Sequence, residues 1–187
     1  MATGMQAKEL LTQHGTLRPQ PPTDWTGPFV LPASAERFYR EVGPVDVFIE
    51  SFGNGFSLPS LARLWPRQAG YRWHALTGEP IADWQDDWLV VADQGGDPFI
   101  LSRGSRIVLH DEHGRGFWEP SELFPNLDTM AACLARLGSL VASAGESFTD
   151  EDCNILPEWL DKAVAALQQL LGSSRSAGTV LGAVGWT

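Results

Sequence analysis

The stretch Trp88-Leu89-Val90-Val91-Ala92-Asp93-Gln94-Gly95-Gly96-Asp97-Pro98-Phe99-Ile100-Leu101 decides the fold. Five dense apolar residues, Trp88 to Ala92, read as a strand. Asp93 to Pro98 is a turn cluster, because glycine supplies positive φ and aspartate bonds its own backbone. Pro98 to Leu101 reads as the returning strand. The pattern continues downstream. Arg103-Gly104-Ser105 turns the chain, Ile107 to His110 is a strand, Asp111 to Gly114 turns again, and Gly116-Phe117-Trp118-Glu119 reads as a further strand. Short strands joined by glycine-rich turns predict an antiparallel meander.

Upstream, Leu31-Pro32 opens a helix with Ala35, Phe38, Tyr39 and Val42 at helical spacing, and Gly43-Pro44 stops it. Val45, Val47 and Ile49 alternate with Asp46 as on a strand. Phe52 to Gly55 is a turn, and Leu58, Leu61, Leu64 and Trp65 suggest a short helix limited by Pro66. Downstream, Asn126 is placed to cap a helix whose stripe is Leu127, Met130, Ala131, Leu134, Leu137 and Val141, ending at Gly145. A last helix starts at Pro157, with Leu160, Val164, Leu167 and Leu171 on one face. The tail from Gly172 is Gly/Ser-rich, then apolar, and is either loose or strapped onto the body. At the other end, a short helix over 5–13 precedes Arg18-Pro19-Gln20-Pro21-Pro22, which runs extended. The expected fold is α+β: a single domain with a central, mostly antiparallel sheet packed by helices. It divides into a helix and Pro-rich strap (1–27), the sheet-bearing body (28–142) and a helical extension with tail (143–187).

Charge bounds the function. The 187 residues carry 23 acids against 13 Lys and Arg, a net charge of -10, which argues against nucleic acid because phosphate contacts need a basic surface. Between Arg72 and Arg103 there is no Lys or Arg, while Glu79, Asp83, Asp86, Asp87, Asp93 and Asp97 fall there. Between Arg136 and Lys162 there is again none, while Glu146, Asp150, Glu151, Asp152, Glu158 and Asp161 do. Any single acid is best read as solvation, but the clusters suggest a face for a basic protein. Glu79, Asp83, Trp84, Asp86 and Asp87 form the expected contact surface, with acids steering the approach and Trp84 anchoring it. Trp88, Trp118 and Trp159 are expected in the core.

Chemistry finds little support. Asp93 to Pro98 is no phosphate loop, since no Gly-Lys-Ser/Thr follows. His110 and His113 bracket Asp111 and Glu112, but zinc needs three or four converging ligands and no further pair is placed to complete a set. His14 and His74 are isolated. Cys133 and Cys153 form no CxxC pair and have no basic neighbour to activate them, so they read as free thiols. No Gly-x-Ser-x-Gly is present, and no pair of carboxylates stands out. No catalytic residue, metal site or cofactor is therefore expected, and no enzyme. The first residues lack the pattern of a secretory signal, and no apolar run approaches the roughly 20 residues of a bilayer span, which makes the cytoplasm the default location.

Taken in order, Leu31-Pro32, Phe38-Tyr39, Gly43, the Trp88 to Asp93 strand, Gly95-Gly96-Asp97-Pro98-Phe99-Ile100, His113-Gly114 and Trp118-Glu119 resemble the SUKH superfamily, in its Smi/Knr-like branch. The match covers roughly residues 28 to 142 and omits both ends, and Asn126-Leu127 replaces the usual Ser-Phe opening of the helix after the sheet. The resemblance implies an α+β fold and a non-enzymatic, protein-binding role. Many bacterial members are immunity proteins that neutralise a cognate toxin of a polymorphic or contact-dependent system, and fungal relatives are regulatory scaffolds. It implies a structural role for Asp93, Gly95, Gly96, Asp97, Pro98, His113, Gly114 and Trp118. The expected partner is a basic toxin domain. A regulatory scaffold for an endogenous cell-envelope or signalling protein is the alternative, and an uncharacterised hydrolase a weaker one.

Overall fold

A computed structural model describes residues 2–186. The fold is α+β. Among the described residues, six strands form one open antiparallel sheet: β1 (Val47–Ile49), β2 (Phe56–Leu58), β3 (Trp88–Gln94), β4 (Asp97–Ser102), β5 (Val108–His110) and β6 (Ser121–Phe124). The spatial order equals the sequence order, so every connection joins neighbours. Six α-helices accompany it: α1 (Ala2–Leu11), α2 (Ala33–Glu41), α3 (Leu61–Leu64), α4 (Leu127–Ala144), α5 (Pro157–Leu171) and α6 (Ser174–Ala183).

The β3–β4 hairpin turns at Gly95 and Gly96, whose φ values of 64° and 110° suit glycine and few other residues. Its register pairs Gln94 with Asp97, and a bulge falls between Val90 and Ala92. Alternation on these strands serves two layers. Leu89, Ala92, Phe99, Leu101 and Val108 join the main core beneath the helices. Val90 and Ile100 face a second, smaller cluster. The run Leu89 to Ala92 is thus apolar throughout because the strand is covered on both faces.

The main core also takes residues from both chain ends, from Ala7 to Trp186. Asn126 caps α4 by accepting the Thr129 N–H at 2.9 Å, and Gly145 closes it with φ 54°. The helix packs against α1 and α5, and α6 packs against α5. Asp128 is buried and accepts a bond from Arg37 of α2, which ties α2 to the start of α4. The tail is helical rather than loose: Ser173 caps α6 by accepting the Ser176 N–H at 3.0 Å. Trp186 then fills the core and donates to Ser51 Oγ at 3.1 Å.

Several expectations need correction. Gly116 to Glu119 is not a strand; the sixth strand begins at Ser121. The Trp118 N–H goes to the Asp83 carboxylate and the Glu119 N–H to Asp111, so side chains replace a ladder there. The first strand is shorter than its pattern, because Asp46 sits at φ 51°. Its carboxylate accepts from the Ser60 N–H and hydroxyl, both at 3.0 Å. Finally, Leu127–Phe148 does have the length and apolarity of a membrane span, but it is largely buried as the central core helix.

Candidate functional site

The second face of the sheet is covered by the segment between α3 and β3. Gln68, fully buried, anchors this cover. Its side chain donates to Val90 O at 2.9 Å and accepts from the Val90 N–H at 2.9 Å, standing in for a neighbouring strand. Beyond it the chain makes a small hairpin: the Ile81 N–H reaches Arg72 O at 3.0 Å and the His74 N–H reaches Glu79 O at 2.8 Å. Leu76 lies at the tip and is 101% exposed. Aromatic rings fill the space below. Trp65 and Trp73 lie 4.9 Å apart, and Trp84 stands edge-on to Trp88 (5.3 Å) and Trp118 (5.5 Å). A cleft of about 270 Å³ opens between Trp65, Trp73, Pro80 and Trp84.

Arg72 organises this cover. Its guanidinium donates to Asp86 O at 2.8 Å and Trp88 O at 2.7 Å, and pairs with the Asp86 carboxylate at 3.3 Å. Arg103 donates to the same Asp86 carbonyl, and its own N–H bonds Asp87 O at 2.8 Å. Two arginines that flank the base-free stretch therefore fold it back on the sheet. Burial lowers the Arg72 pKa, and the neighbouring Arg103 adds to that effect. The guanidinium still remains charged at neutral pH.

The five expected contact residues divide. Glu79, Asp86 and Asp87 are exposed and stand on this scaffold. Asp83 is half-buried and spent on the Trp118 N–H at 2.5 Å. Trp84 is 7% exposed and packs with Val90 and Ile100, so it supports the surface from below and is not an accessible anchor. The exposed apolar side chain of this segment is instead Leu76, which the sequence reading passed over. The signal was a leucine at a turn between His74 and Gly78, where burial has no partner.

The residues to which the resemblance gives a structural role fall around the β3–β4 turn and in the segment between β5 and β6. Gly95 and Gly96 make the turn, and Pro98 is buried at the start of β4. Asp97 Oδ1 accepts from the His113 backbone at 2.8 Å and approaches its Nδ1 at 2.5 Å. A Cβ on Gly96 would come within 3.2 Å of that imidazole. Asp93, half-buried, is raised above the usual carboxylate range by its burial and pairs with Arg67 at 3.6 Å. Gly114 is exposed at φ 90° in the following turn. Trp118 joins the aromatic cover. Of the three tryptophans expected in the core, Trp159 is buried in the main core, while Trp88 and Trp118 are half-buried in the outer layer.

His110 does not join His113. It is buried against Phe99, ring centres 4.8 Å apart, and its Nε2 has no hydrogen-bond partner. Burial lowers its pKa below 6.5, against the opposing pull of Asp97, Glu112 and Asp111. The sign follows: the folded form resists a proton that the unfolded chain accepts at about 6.5. The stability present above pH 6.5 is therefore lost as pH falls from there toward the folded value, with a slope approaching about 1.4 kcal/mol per pH unit. Denaturation curves across pH 5 to 7 should show this slope in the parent and its loss in His110→Phe.

Among the described residues, no three of His, Cys, Asp and Glu converge to hold a metal ion. Burial pushes the Cys133 thiol up to about 12, and Cys153 is exposed in a turn. No family model, curated protein or solved structure matches the chain.

Proposed function

We propose that this chain is a non-enzymatic, cytoplasmic protein-binding module of the SUKH immunity type, which neutralises a cognate basic toxin domain by occupying it. One observation carries the reading. A fully exposed leucine, Leu76, projects from a hairpin that also carries the exposed acid Glu79, and the exposed acids Asp86 and Asp87 follow it in the chain on a scaffold pinned by Arg72 and Arg103. An apolar tip on an acidic segment is how a small rigid surface combines anchoring with electrostatic steering. The resemblance in residues 28 to 142 supplies the kind of partner.

Co-expression with the product of a neighbouring toxin-like gene is the test. The expected result is rescued growth, a complex that co-purifies, and an association rate that falls steeply with salt. Leu76→Asp with Glu79→Lys should weaken that complex by about a hundredfold, near 3 kcal/mol. Both residues are exposed, so the melting temperature should stay within about 1 °C of the parent. A complex that ignores both substitutions and salt would overturn the reading.

A further inference from the structure

The eight tryptophans divide by what their N–H groups do. Three are paired within the fold. Trp25 donates to Phe29 O at 2.7 Å, Trp159 to Ser147 O at 2.8 Å and Trp186 to Ser51 Oγ at 3.1 Å. Trp65 and Trp73 donate to no group among the described residues, yet both are only half-buried and neither N–H is shut away from solvent. They lie side by side in the cleft of about 270 Å³ that Gly78, Pro80, Ile81 and Trp84 help to enclose. Trp84 also lacks a partner, but its N–H is closed off beneath the surface and offers nothing to a ligand. Trp65 packs in turn against Phe29, 5.6 Å away, and Phe29 against Trp25, 5.3 Å away, so the aromatic row continues past the cleft.

The cleft therefore offers flat apolar walls and two accessible donors, and what it lacks selects the ligand. No Ser, Thr, Asn or Gln lines it. Its carboxylate, Asp86, and its guanidinium, Arg72, are paired with each other at 3.3 Å, and Arg72 also holds the Asp86 and Trp88 carbonyls. A sugar, whose hydroxyls donate as well as accept, would leave most of them unpaired here. A nucleotide would bring phosphate to an acidic surface. The volume also falls below the roughly 300–1,000 Å³ of sites that enclose a free small molecule. A polyproline II segment meets each condition. Proline has no N–H to satisfy, the carbonyls of that helix face outward as acceptors, and its preformed shape suits aromatic-lined grooves. Glu79 is exposed, forms no ion pair among the described residues and immediately precedes Pro80 at the rim, which favours a basic residue beside the prolines. We infer that this cleft binds a proline-rich segment flanked by arginine or lysine, with the proline rings against Trp65 and Trp73 and backbone carbonyls on their N–H groups. The inference rests on the protein-binding reading and names a recognition element that Leu76 does not supply.

Fluorescence anisotropy of the full chain with a labelled peptide of eight prolines, carrying two arginines at each end, tests it. Saturable binding with a Kd below about 1 mM is expected, together with a change in indole emission. A peptide with glycines for the prolines keeps the charge and loses the extended helix, and should bind at least about tenfold more weakly. Maltohexaose should not compete. Trp73→Phe keeps a ring against Trp65 and removes one donor, and should weaken the proline peptide by about fivefold while hydrogen exchange over 70–88 stays unchanged. Glu79→Lys, at a fully solvated position, should weaken the arginine-flanked peptide by about fivefold and strengthen a glutamate-flanked one. Failure of the proline peptide to bind, equal binding of the glycine peptide, competition by maltohexaose, or indifference to both substitutions would each overturn the inference. The peptide reports on the cleft alone. If it fails while the partner still co-purifies through Leu76, only this inference falls; if it binds and no toxin is neutralised, only the immunity reading falls.

Discussion

Trp186→Ala is expected to destabilise the protein by about 3–5 kcal/mol, the usual cost of truncating a buried tryptophan. The residue is second from the end of the chain, where truncations are often harmless. Here the ring is 1% exposed and packs edge-on to Phe148, 5.3 Å away. Its N–H reaches Ser51 in the β1–β2 connection. Gln94 at the end of β3 also donates to Val184 O at 3.2 Å, so the tail closes over the sheet end. Chemical denaturation should give a single transition at lower denaturant, and heating should lower the midpoint by roughly 10 °C. Val30→Ala is the control, since Val30 is exposed and the change should stay within about 0.5 kcal/mol. A cost below about 1 kcal/mol for Trp186→Ala would mean that residues beyond 172 are an appendage and not part of the core.

That expectation also shows where the sequence was readable. Turn and cap chemistry was local and therefore legible: Gly95-Gly96 makes the hairpin, Asn126 caps α4, and Pro157 starts α5. Helix α6 was missed because a Gly/Ser-rich composition outweighed its cap. The signal was present in Ser173 three residues before Ser176, followed by Ala177, Val180 and Leu181 on the buried face. Gly116 to Glu119 imitated a strand through its aromatic pair, and nothing local revealed that Asp83, 35 positions upstream, would take the Trp118 amide. Trp84 was misplaced for the same reason. Its acidic neighbours suggest a surface, but the open side of Val90 and Ile100 needed covering, and only tertiary packing shows that. The acidic stretch itself was visible. That Arg72 and Arg103 would clamp it from both flanks was not, because an ion pair across 14 positions and a guanidinium–carbonyl bond across 17 leave no periodic trace.

Arg72→Met should be the most informative change at the candidate surface, because it separates the scaffold from the charges it carries. Methionine keeps much of the apolar stem packed against the aromatic cover but removes every donor. The Trp88 and Asp86 carbonyls lose charge-assisted bonds of 2.7 and 2.8 Å, and the Asp86 carboxylate loses its partner. Bonds of this kind are worth about 1.5–3 kcal/mol each. The exposed ion pair adds little. Allowing for water that reaches the partly exposed groups, a loss of roughly 3 kcal/mol is expected. The loss should concentrate in the outer layer: indole fluorescence and hydrogen exchange over 70–88 should change most, and α4 and α5 least. Binding should fall with it, although no acid and no part of Leu76 has been altered. Leu76→Asp with Glu79→Lys, by contrast, should weaken binding by about a hundredfold while leaving exchange over 70–88 untouched. If Arg72→Met loosens that segment and the partner binds as before, the surface lies elsewhere on the molecule. If the segment stays protected, its rigidity comes from the tryptophans and Gln68, and the arginine clamp is incidental.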